Sequence, residues 1–158
     1  MSNYLTPAEA QTLADERLNV EAWDDAVDED GSLFGQPNTL TYKSLTMATK
    51  IIDRLNYRGD KYDADQVNQF PRGDDTTIPD DIGNACFEIA LALLDGVDPQ
   101  LEGENLGMTS QGYANVRSTY DREVPVPHIV AGVPSLTAWR FIVPYLCDTG
   151  YFNIMRSS

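Results

Sequence analysis

One histidine, two cysteines and several adjacent acids are the main sources of side-chain chemistry in this chain. With His128 alone, a metal centre built on several imidazoles is excluded, and so is a histidine pair dividing acid and base work. A serine or cysteine nucleophile would need His128 as its base. That residue lies in Val126-Pro127-His128-Ile129, and no G-x-S-x-G turn occurs anywhere. No phosphate-cradling G-x-x-x-x-G-K-S/T loop is present, and no G-x-G-x-x-G turn follows a strand. Asp74-Asp75 and Asp80-Asp81 read as helix-start or solvated charge. The Asp28-Glu29-Asp30-Gly31 run approaches a calcium loop, but its register fails. Placing Gly31 at the sixth position puts Ala26 first and Pro37 twelfth, so both anchoring carboxylates are missing. Neither enzymatic activity nor a metal or cofactor is expected.

Binding is the remaining class, and charge directs it. The 158 residues carry 11 Lys and Arg against 25 Asp and Glu, a net charge of −14. Residues 1–38 hold nine acids and one base, and residues 73–106 hold nine acids and no base. Between them, residues 39–72 hold six bases and four acids. An acidic chain repels phosphate backbones, whose affinity for proteins comes from Lys and Arg displacing counterions. One patch opposes that trend: Lys43, Lys50, Arg54, Arg58, Lys61 and Arg72, interleaved with Tyr57, Tyr62 and Phe70. Cations tracking a strand and aromatics stacking its bases would give a single-strand-DNA surface. The competing and favoured reading pairs these bases with neighbouring acids on a solvated face.

The elements that must position these residues are mostly helical. Thr6-Pro7-Ala8-Glu9 predicts a capped helix start, with Ala10, Leu13, Ala14 and Leu18 as its stripe. A short helix from Val20 to Ala26 would carry Trp23 inward, followed by an acidic loop over 28–38. A longer helix is predicted over Thr41–Leu55, with Leu45, Ala48, Ile51, Ile52 and Leu55 on one face. From Ile82 to Leu94 the stripe covers more than half the circumference, which predicts a central helix stopped by Gly96. Alternation over Thr109–Asp121 predicts one or two strands. The expected fold class is therefore mainly α: about four helices over 1–100, then a β element and a C-terminal segment over 101–158.

That last segment is rich in Trp139, Phe141, Tyr145, Tyr151 and Phe152 but broken by Pro125, Pro127, Pro134 and Pro144. It has room for one short helix, Ser135 to Val143. Either it completes the bundle or it docks into another subunit or partner. The longest apolar run, Ile89–Leu94, is far below the ~20 residues of a membrane helix. Two cysteines make no disulfide framework and no apolar signal segment opens the chain, so a soluble protein kept in cytosol-like conditions is expected.

Ile52-Asp53-Arg54-Leu55-Asn56-Tyr57-Arg58-Gly59-Asp60-Lys61, then Gln69-Phe70-Pro71-Arg72, then Ile78-Pro79, resembles the head–tail adaptor (connector, head-completion) proteins of tailed bacteriophages. Members are often labelled DnaT-like single-stranded-DNA-binding proteins. Tyr4-Leu5-Thr6 with Glu9-Ala10, Trp23, Tyr120 and the closing aromatic patch with Arg156 extend the likeness over nearly the whole chain. Phe70 stands where Trp is commoner, and the acidic loop is longer than the family pattern. The resemblance implies a structural virion protein at the head–tail junction, assembled in the host cytoplasm. It implies a homo-oligomeric ring of about twelve copies, each patch binding a different patch on the next copy. The partners implied are the portal, a tail-side neck or terminator protein, and double-stranded DNA passing through the channel without specific binding. By carry-over, portal contact falls to Trp139, Phe141, Tyr145, Tyr151, Phe152 and Arg156. Removing residues 135–158 is then expected to leave a folded helical remainder.

Overall fold

A computed structural model describes residues 2–105, 110–113, 116–119 and 127–147. Helix α1 (Pro7–Asp15) begins as its sequence requires. The Thr6 hydroxyl accepts from the Glu9 amide at 3.3 Å, while the Glu9 carboxylate accepts from the Thr6 amide at 2.8 Å. The Thr6 amide, and the Thr6 hydroxyl donating to the same carboxylate at 2.8 Å, hold the Glu9 carboxyl below the usual range. Helix α2 (Glu21–Asp30) runs four residues beyond the expected end at Ala26, so Asp28 and Glu29 lie on a helix and not in a loop. Gly31, at φ +52°, ends it.

Helix α3 (Leu40–Asp53) owes its start to α2. Thr39 caps it locally, and the buried Asp30 carboxylate accepts from the Leu40 amide (2.7 Å), the Thr41 amide (3.0 Å) and the Thr41 hydroxyl (2.6 Å). Three donors at a helix N-terminus are what an anion there satisfies. The central helix α4 (Asp80–Leu94) packs against α3 and against α1 and α2. Its Ile82, Ala85, Cys86, Phe87, Ile89 and Ala90 are all buried, with Gly96 at φ +85° just beyond its end. Burial pushes the Cys86 thiol up to about 12, so it is an inert apolar filler.

After α5 (Pro99–Asn105), β1 (Ser110–Tyr113) pairs antiparallel with β2 (Val116–Thr119), Ser110 facing Thr119 and Tyr113 facing Val116. The chain continues with α6 (Pro127–Val130), α7 (Leu136–Ile142) and a 3-10 turn over Val143–Tyr145. Seven α-helices are present among the described residues, against about four expected over 1–100 and one over Ser135 to Val143. The two additions, α5 and α6, are too short to show a periodic stripe.

The larger difference concerns the C-terminal segment. Helix α7 lies along α4, and Val133, Ala138, Ile142 and Leu146 are buried in the same core as Trp23, Leu45 and Ile52. Residues 133–147 therefore complete the bundle and are not an arm extending from it. The expectation that a chain lacking 135–158 keeps its fold is corrected by these contacts. Helix α7 falls within the helix expected over Ser135 to Val143, and Pro144 lies in the 3-10 turn that follows it, ending the helix without interrupting it.

Candidate functional site

The segment that carries the family resemblance folds into one stapled unit at the end of α3. Tyr57 pairs with Leu146 as an antiparallel bridge, and Lys61 pairs likewise with Arg72. Around Phe70, three tyrosines stand edge-on: Tyr57 at 4.8 Å, Tyr145 at 5.4 Å and Tyr4 at 6.1 Å between ring centroids. Such edge-to-face packing contributes about 0.5–1.5 kcal/mol per pair beyond burial. The Tyr4 hydroxyl donates to Asp53 and accepts from the amides of Gln69 (3.0 Å) and Phe70 (3.2 Å). Burial and the Asp53 carboxylate push the Tyr4 phenol far above its ordinary value, and burial does the same to Tyr57.

The six cations of the candidate DNA patch divide into two groups of three. Arg58, Lys61 and Arg72 are spent on backbone carbonyls. Arg72 reaches Gln69 O (3.2 Å), Arg58 O (3.0 Å) and Gly59 O, and also the Gln69 side-chain oxygen at 2.8 Å. Its guanidinium lies 5.7 Å from the Tyr57 ring centroid. Arg58 donates through Nε to Leu146 O, while its amide donates to Tyr145 O at 2.9 Å. Lys61 Nζ donates to Gln66 O at 3.1 Å. Their partners within the described chain are therefore carbonyls and not the neighbouring acids expected from composition. The other three, Lys43, Lys50 and Arg54, are exposed on α3 and form no ion pair among the described residues.

The sequence-predicted portal contacts also divide. Trp139, Phe141 and Tyr145 are half-buried against the core of their own chain. The Tyr145 hydroxyl sits 3.4 Å from Asp81, and burial together with that carboxylate raises its pKa. Trp139 walls a small apolar groove of about 230 Å³ with Leu55, Pro127, Val130, Ala131 and Leu146. Tyr151, Phe152 and Arg156 lie outside the described residues.

Sequence reasoning missed two charged positions. Glu88 is buried on α4 and pairs with Arg17, whose guanidinium also lies 5.8 Å from the Phe87 ring centroid. The signal was available: Glu88 is the one acid between Asp81 and Asp95. Asp30 was read as loop charge, and only the contact with residues ten positions on reveals its capping role. No cluster of three or more metal-ligating side chains occurs among the described residues. No helix there is long and apolar enough to cross a membrane. His128 is half-buried, and burial lowers its pKa against the opposing pull of Glu102.

Comparison with protein-family models, with curated proteins and with solved structures returns no match.

Proposed function

We propose that the protein is a head–tail adaptor of a tailed bacteriophage: a structural virion component forming a ring between the portal and a tail-side neck or terminator protein. The observation that carries this reading is the stapled unit over Tyr57–Arg72. The motif residues shared with the adaptor pattern meet in space, and their cations bind this chain's own carbonyls. A motif spent on holding its own loop is a structural joint. The net charge of −14 is what opposes the single-strand-DNA reading, and three of its six cations would have to share their donors with carbonyls of this chain.

A ring through which duplex DNA slides needs walls that do not hold phosphates. Exposed acids at Asp74, Asp75, Asp80, Asp95 and Asp98 suit that surface, whereas Glu88 and Asp30 are buried and committed to internal partners. Portal contact then falls to the exposed edges of Trp139, Phe141 and Tyr145, together with Tyr151, Phe152 and Arg156. The ring of about twelve copies remains part of this proposal and follows from the resemblance. Negative-stain images of neck complexes purified through the portal test it. A ring of this chain between portal and tail is expected. Particles in which the chain is absent from that junction would overturn the reading.

A further inference from the structure

Two exposed helix faces of opposite charge stand out on the described surface. Along α3 and its C-terminal cap residue Arg54, Lys43, Met47, Lys50 and Arg54 follow a seven- and four-residue rhythm that places them within an arc of about 60° at 100° per residue. All four are exposed, Met47 to 52%, and they run about 16 Å along the helix. On α2, Glu21, Asp24, Asp25, Asp28 and Glu29 are exposed opposite the buried Trp23, Ala26 and Asp30. That acidic face runs about 12 Å and ends beside Leu33, which is 63% exposed. The cations of α3 form no ion pair within the described chain, and the acids of α2 form none either.

We propose that the basic face of α3 docks on the acidic face of α2 in a second copy of this chain. The inference rests on the ring reading and supplies its protomer contact. The two faces oppose in charge, the shorter α2 face fits within the length of the α3 face, and each has an exposed apolar residue, Met47 or Leu33, to anchor the contact. Because the faces differ, the contact is heterologous and propagates from copy to copy, closing into a ring when the rotation allows. A protein this acidic repels itself overall, so a local cationic face is what lets one copy approach the next. The attraction is screened within about 10 Å at 0.1 M salt, and association weakens as salt rises.

Charge exchange tests the pairing by light scattering on the purified full chain. The wild-type protein is expected to self-associate in dilute salt, with at least tenfold weaker association at about 0.5 M salt. Reversing α3 (K43E, K50E, R54E) or α2 (D24K, D25K, D28K) removes association, with circular dichroism confirming the fold. Mixing the two reversed proteins restores it, since each then offers a face the other lacks. Wild-type protein that stays monomeric at every salt concentration overturns the proposal. Loss without restoration on mixing also overturns it, because the α3 face then has another occupant. Salt-sensitive binding of a labelled single-stranded oligonucleotide, lost with K43E, K50E and R54E, would name that occupant as nucleic acid. Restored association in a protein absent from the neck of purified particles would leave the interface standing and overturn the adaptor reading alone.

Discussion

Asp30 joins two helices through one carboxylate, and pH reaches that joint directly. Burial opposes its ionisation, but the Thr41 hydroxyl, the Thr41 amide and the Leu40 amide outweigh burial, with Lys43 nearby, and its pKa is lowered. A carboxylate lowered in the folded state contributes stability above its unfolded value near 4, and loses that contribution as pH falls through the folded value. Melting temperature should therefore fall more steeply below about pH 4 in the wild type than in D30N. At neutral pH, D30A should cost about 1–3 kcal/mol in denaturant unfolding, since a buried donor pair is left unmet. Arg72 makes a companion case. R72A should lower stability by about 1.5–3 kcal/mol. R72K should recover less than half of that, because an ammonium cannot fork across carbonyls on three sides. A urea midpoint for R72K equal to the wild type would refute this account.

At the scale of elements, the chain's local signals and its long-range contacts differ in how well sequence exposes them. The capping box at Thr6, the broad stripe of α4 and the glycine stop at Gly96 are local, and each was legible because its causes lie within a few residues. The cap from Asp30 to Thr41, the pair Arg17–Glu88 and the carbonyl bonds of Arg58 join residues 11, 71 and 88 positions apart. No periodicity announces such partners. The same limit hid the fate of α7: its apolar residues were plain, but whether they meet this chain or another depends on three-dimensional packing. Truncation separates the two outcomes. Burying one large apolar side chain contributes about 1.5–3 kcal/mol, against a total stability of about 5–15 kcal/mol for a domain. A chain ending at residue 134 loses the buried Ala138, Ile142 and Leu146 and should lack cooperative unfolding by circular dichroism. I142A alone should cost about 2–5 kcal/mol.

For the whole molecule, the distribution of charge matters more than its sum. Three of the six central cations donate to carbonyls of their own chain, which leaves their charge in place, and three lie exposed along α3; what opposes phosphate contact is the net charge of −14 around them. Anisotropy with a labelled single-stranded oligonucleotide should show no binding at about 1 μM protein in physiological salt, where even non-specific binders have dissociation constants of about 1–100 μM. A tighter, salt-dependent complex would return the nucleic-acid reading to first place. The adaptor proposal rests on the motif over Ile52–Pro79. The structure adds that this motif is a packed joint, with Phe70 at its centre and Leu146 paired across it.

That pairing sets an order of events in the cell. Tyr57 and Arg58 are made first, and Tyr145, Leu146 and the Cys147 amide that bonds Asn56 at 3.0 Å follow only about 90 residues later. At about 5–20 residues per second, the early half waits several seconds for its far strand. During that interval Phe70 and the apolar face of α4 lack their cover. A nascent chain stalled with only residues 1–134 outside the ribosome should therefore be far more protease-sensitive than one that also exposes residues 135–147.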